Sequence, residues 1–126
     1  MVSPMPDQMN TYAKGIHGEA AAEAYLCQKG MICIERRYHS PYGEIDLIVL
    51  DRDTLAFVEV KSRQNNTITS AQMAVTPTKQ RRIVQTALCY LNQHPEHQQR
   101  MMRFDIVSVS GDCIHHQKNA FHGSGW

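Results

Sequence analysis

Two acids and an amine in this chain stand at a spacing suited to hydrolysing phosphate esters. They lie in Gly43-Glu44-Ile45-Asp46-Leu47-Ile48-Val49-Leu50 and in Leu55-Ala56-Phe57-Val58-Glu59-Val60-Lys61-Ser62-Arg63. Both stretches are rich in β-branched and aromatic residues and read as strands over 44–50 and 54–62, joined through Asp51-Arg52-Asp53. Alternation along a strand puts Glu59 and Lys61 on one face and Val58 and Val60 on the other. With Arg52-Asp53 as a two-residue loop, Asp51 opposes Thr54, and counting back brings Asp46 opposite Glu59. Directly opposed residues share a face, with Cβ atoms about 4.5–5.5 Å apart. A slip of one residue would separate the two acids. Carboxylates that close repel each other, and burial worsens the repulsion. A hard divalent cation, Mg²⁺ or Mn²⁺, relieves it, and Mg²⁺ is commonly held by one or two carboxylates with water completing its shell. Lys61 would then orient or activate a water, or stabilise developing negative charge, in a cation-assisted hydrolysis. The plainer alternative is an amphipathic hairpin carrying a cross-strand ion pair. Asp46, set among Ile45, Leu47 and Ile48, suits that alternative less well.

The elements that must position these residues are legible in outline. Residues 11–29 are rich in helix formers and end at Gly30. Ile16, Ala20, Ala24 and Cys27 recur at helical spacing and predict the buried stripe of this helix. A strand over 31–38 runs into the turn-prone Ser40-Pro41-Tyr42-Gly43. Gln64 to Ala74 is polar and aperiodic, which predicts a loop. Thr76-Pro77 opens a second helix, with threonine as N-cap and proline at the first helical position. Ile83, Val84, Ala87, Leu88 and Leu91 predict its buried stripe, ending before Pro95. A further strand follows over 104–109, and from Gly111 onward apolar residues are too sparse to predict regular structure. The expectation is a small α/β domain with a mixed sheet of about four strands and flanking helices. It spans 11–110, between a flexible N-terminal stretch (1–10) and a C-terminal tail (111–126).

At 126 residues, with 42% apolar and 20% charged residues, the chain has ordinary globular composition and length for one core. No apolar run is long enough to span a membrane. Met1 to Asn10 carries neither a basic region nor an apolar core, so no secretory signal is expected. The cysteines Cys27, Cys33, Cys89 and Cys113 show no CxxC spacing and read as reduced thiols, which points to the cytoplasm. The net charge of +1 conceals an asymmetry. Residues 1–60 hold nine acids against five bases, whereas 61–103 hold seven bases against Glu96 alone. Lys79, Arg81 and Arg82 crowd the start of the second helix, where the dipole disfavours cations. With Arg63 they form a candidate phosphate track, the alternative being a solvated face. Cys113, His115, His116 and His122 crowd the tail, but adjacent histidines seldom close a zinc shell of three or four ligands.

The ordered set of motifs resembles the PD-(D/E)XK nuclease superfamily, with its restriction-endonuclease-like fold. More closely, it resembles the YraN family of small bacterial endonuclease-like proteins. The matching stretches are Gly18-Glu19 with Ala24-Tyr25-Leu26, Gly43 to Ile48, Phe57 to Arg63, Val75-Thr76-Pro77 with Lys79-Gln80, and Arg103-Phe104-Asp105. The Glu-Ile-Asp and Glu-Val-Lys segments are also similar to those of archaeal Holliday-junction resolvases. The resemblance implies Asp46 and Glu59 as metal ligands, helped by the main-chain carbonyl of Val60, and Lys61 as catalytic lysine. It implies Glu19 as a further acid at the metal and Gln80 as a polar residue near it. Ile45 stands where the name-giving proline would be, a position that carries no chemistry.

These readings converge on a Mg²⁺- or Mn²⁺-dependent endonuclease acting on DNA, with a preference for branched or flapped structures in repair or recombination. Nothing in the chain resembles a base-reading element, so recognition should rest on backbone and shape and be salt-sensitive. Junction-cutting enzymes of this fold imply a homodimer. The rivals are a non-catalytic nucleic-acid-binding module and an adaptor using the second helix to meet a protein partner within a DNA-processing complex.

Overall fold

The computed structural model describes residues 11–63 and 74–123. The stretch 1–10, most of the expected loop after Arg63, and 124–126 lie outside the described residues. The described elements are α1 (Thr11–Gln28), β1 (Ile32–Ser40), β2 (Gly43–Asp51), β3 (Thr54–Arg63), α2 (Pro77–Gln93), a 3₁₀ turn (Pro95–His97), β4 (Met101–Ser110) and β5 (Cys113–Phe121). The strands form one mixed sheet in the order β1-β2-β3-β4-β5. Only β3 and β4 run parallel. That pair needs a crossover, and α2 supplies it.

The sheet has five strands rather than about four. Cys113–Phe121, expected to be an irregular tail, pairs antiparallel with β4. Its pattern is mostly exposed, as an edge strand's can be, because main-chain pairing needs no apolar side chain. Ile114, Ala120 and Phe121 still reach the cores on the two faces.

One helix packs on each face. Against α1 lie Leu47, Val49, Ala56, Val58, Val107 and Val109, together with Ala22, Leu26 and Met31. Against α2 lie Ile45, Ile48, Leu55, Phe57, Phe104 and Ile106, together with Ile83, Ala87, Tyr90 and Leu91. Each Val, Leu, Ile, Met or Phe side chain among them contributes roughly 1.5–3 kcal/mol by leaving water.

The stripe expected on α1 is displaced. Gly18, Ala22 and Leu26 are buried, whereas Ala20, Ala24 and Cys27 are exposed; the side chain of Ile16 lies outside the described residues. A helix of alanines has little amphipathic contrast, so the partner surface chooses the face. Gly18 is part of that choice, since a Cβ there would fall 2.0 Å from Ser62 Oγ on β3. The stripe of α2 is Ile83, Thr86, Ala87, Tyr90 and Leu91, while Leu88 is exposed. Both helix ends are capped as their residues suggest. Thr76 Oγ1 accepts from the Lys79 amide at 3.2 Å. Gly30, at φ 92, lets the Met31 amide return to the Leu26 carbonyl at 3.1 Å.

On the α1 face, Asp105 is fully buried. It accepts from Arg103 Nε and Nη2 at 2.8 and 2.9 Å and from the Asn119 amide at 3.0 Å, and lies 2.8 Å from His116 Nε2. Burial alone would raise its pKa, but the hydrogen bonds from His116, Arg103 and Asn119 outweigh that and lower it. Arg103 also donates to Asp51 at 3.0 Å. This network fastens β5 and the β2–β3 turn to β4.

Candidate active site

The hairpin register begins as counted, with Asp51 opposite Thr54 and regular pairing up to Leu47 opposite Val58. There the regular ladder stops, one pair short of Asp46 and Glu59. Ile45 and Ile48 pack in the same cluster, so the two-residue alternation of β2 is interrupted between them. The Val60 amide donates to Asp46 Oδ2 at 2.8 Å. Asp46 therefore fills the place where β2 and β3 part, rather than facing Glu59 across a regular ladder. On β1, Arg37 takes the same level, between the pairs Arg36–Leu47 and Tyr38–Ile45. Its backbone is left-handed, at φ 50, a conformation that costs a non-glycine residue energy.

Glu59 points to the α2 face and is only 6% exposed. Its Oε1 lies 2.5 Å from Lys79 Nζ. Lys61, two residues on, donates to the Ala74 carbonyl just ahead of α2. Gln80 Nε2 donates to the Val75 carbonyl at 2.8 Å, so it braces the entry to α2. Glu19 is gripped by Arg37, which donates from Nε at 2.8 Å and Nη2 at 3.3 Å. Val60, expected to offer its carbonyl, contacts Asp46 through its amide instead.

The electrostatics single out Asp46. Its pKa is pushed up to about 8, first by burial and then by the charge of Glu59, with Glu19 and Glu44 adding to the effect and the Val60 hydrogen bond opposing it. Three acids, one each from α1, β2 and β3, thus bear on one carboxyl. Glu44 is the one that sequence reasoning missed, although it stands two residues before Asp46 in the same motif. Its Oε1 is buried without a hydrogen bond; His39 Nε2 lies 3.3 Å away, but without hydrogen-bond geometry.

The donor set suits a hard divalent cation. It is all oxygen, its acids crowd one another enough to penalise the ionised form of Asp46, and Glu44 leaves a buried acceptor unmet. Among the described residues, no group of three His, Cys, Asp or Glu side chains is arranged to hold a metal. Asp46 and Glu59 are the two acids that could hold such a cation with water completing the shell, while Glu19 is held by Arg37. The tail residues do not assemble into a zinc shell, and His116 is committed to Asp105.

The basic residues divide. Lys79, expected on an open phosphate track, instead holds Glu59. Arg81 and Arg82 are exposed on the first turns of α2. Arg63 ends β3, and its side chain lies outside the described residues.

Comparison with known proteins places this arrangement in a family. The model of the uncharacterised protein family UPF0102 matches residues 18–109, the stretch that carries every acid and lysine just described. The chain belongs to the UPF0102 family. A UPF0102 protein of Rhodopseudomonas palustris (strain BisB18) is 42% identical over 120 residues, covering 94% of this chain and 87% of the relative. One from Desulfosudis oleivorans is 42% identical over 109 residues, covering 85% and 88%. A third, from Bradyrhizobium diazoefficiens, is 40% identical over 105 residues, covering 83% and 77%. Among the described residues of this UPF0102 member, no helix is long and apolar enough to cross a membrane.

Proposed function

We propose that this UPF0102 protein is a divalent-metal-dependent nuclease of the PD-(D/E)XK type that hydrolyses DNA phosphodiester bonds, with branched or flapped DNA as its preferred substrate. The observation that carries the reading is the half-buried Asp46 at the parting of β2 and β3, its carboxyl under the charge of the buried Glu59, with two lysines on the adjoining face. Mg²⁺ or Mn²⁺, when bound, supplies the positive charge that offsets the two carboxylates and stabilises charge at the phosphate. Asp46 and Glu59 are the residues that hold it. The Val60 amide keeps Asp46 oriented, and Arg37 holds Glu19. Lys61, on the same face as Glu59, lies within reach of a phosphate or a water brought to the carboxylates, where an ammonium stabilises developing negative charge. Arg81 and Arg82 offer backbone contacts on the α2 side. Four free cysteines support action in a reducing cytoplasm.

The rival reading, a nucleic-acid-binding or adaptor module without turnover, draws on one observation. Glu19 and Glu59 each already have a basic partner, as structural acids do. A panel of single-stranded, duplex, flap and four-way DNAs, incubated with Mg²⁺, Mn²⁺ or EDTA, separates the two. The nuclease reading expects metal-dependent cleavage that Glu59→Ala abolishes. Cleavage that survives Glu59→Ala, or none on any substrate, refutes it. Sedimentation with and without four-way DNA tests the homodimer expected of a junction-cutting enzyme.

A further inference from the structure

Glu59 is almost fully buried, yet its counter-charge comes from Lys79, a side chain that is 52% exposed and anchored on another element. That asymmetry matters. The carboxylate cannot leave, because it is buried and its strand is held at Glu59 by β4, opposite Ile106. The ammonium can, because it ends a flexible stem at the N-terminal turn of α2, where the helix dipole disfavours a cation. Lys61 donates to the Ala74 carbonyl. An ammonium 2.5 Å from Oε1 occupies the side of Glu59 that a cation ligated by that oxygen would need.

We propose that Lys79 is an exchangeable counter-ion, holding Glu59 in the metal-free protein and passing to a DNA phosphate when a divalent cation takes its place. This rests on the nuclease reading above and adds to it a positioning residue and a coupling. Each cation displaces the other from Glu59, and the released ammonium is a new phosphate contact at the cleavage site. Metal and DNA therefore bind cooperatively, and by linkage each strengthens the other by the same factor. The free protein stays charge-balanced at Glu59, and the contact forms only once the site is loaded.

The test uses the full chain and two binding measurements, neither of which needs turnover. Mn²⁺ affinity is measured by calorimetry for the parent, Lys79→Met, Lys79→Gln and Lys79→Arg, with Glu59→Gln as the site control. Removing the competing charge should tighten Mn²⁺ binding by about ten- to hundredfold in the Met and Gln variants, while Lys79→Arg stays near the parent. The salt dependence of DNA binding is then measured in EDTA and in Ca²⁺. Lys79→Met should match the parent in EDTA, where Lys79 is engaged, and lose about one from the salt slope in Ca²⁺. Thermal melts confirm that the variants are folded, and two neutral variants guard against a packing artefact. If Mn²⁺ binds the parent at Glu59 but the neutral variants bind no tighter, or the slope falls equally in EDTA and Ca²⁺, the exchange is refuted while the nuclease reading stands. If Mn²⁺ binding is absent, or unaffected by Glu59→Gln, both fall.

Discussion

Replacing Asp46 by asparagine should make the protein less sensitive to pH, and more stable above neutrality, while removing its proposed activity. The carboxyl titrates near 3.8 in the unfolded chain and at about 8 in the fold, because burial and the charges of Glu59, Glu19 and Glu44 penalise its ionised form. Between those values the folded state holds a proton that the unfolded state has released. Stability must therefore fall as pH rises, by about 1.4 kcal/mol per pH unit from this group alone. From pH 5 to pH 7 the loss is about 3 kcal/mol, or about 10 °C in Tm for a domain of this size. Asparagine is nearly isosteric, its amide oxygen can still accept from the Val60 amide, and it has no charge to bury. Urea melts of both proteins in EDTA at the two pH values give the difference of slopes, in which the histidines and other shared titrations cancel. The parent should lose more stability than Asp46→Asn, and the two should converge near pH 4. A saturating divalent cation should restore the parent at pH 7 and leave the variant unmoved. Equal pH slopes, or a variant less stable than the parent at pH 8, would refute the reasoning.

Other expectations follow from the same geometry. Arg81→Ala with Arg82→Ala should weaken DNA binding alike across sequences and lower the salt slope by about two, one per phosphate contact, as read by titration at several ionic strengths. Glu59→Ala should leave DNA binding intact or tighter while ending cleavage, since an acid near phosphate repels it. Asp105→Leu should cost about 3–5 kcal/mol in urea unfolding, because it strands the half-buried Arg103 guanidinium and removes the acceptor for His116 and Asn119. The parent should also lose the stabilisation due to Asp105 as pH falls through the acid range, since its folded pKa is lowered. Thr76→Ala should cost about 1 kcal/mol by removing the acceptor for the Lys79 amide.

By itself the sequence determined what depends on neighbours along the chain. Alternation put Glu59 and Lys61 on one face, the Arg52-Asp53 loop set the register from Asp51–Thr54, and Thr76-Pro77 and Gly30 marked helix ends. Such features follow from backbone sterics and local hydrogen bonds, which need no tertiary partner. The tertiary structure decided whatever depended on which surface an element met. It chose the Ala22–Leu26 face of α1, because the alanines there offer no strong preference and Gly18 allows close approach to Ser62. It made a strand of Cys113–Phe121, because β4 presented an unpaired edge whose main-chain groups outweigh a polar sequence. It parted β2 from β3 at Asp46 and gave the Val60 amide to a side chain. It also paired Lys79 with Glu59, because α2 placed an ammonium within reach of that buried carboxylate.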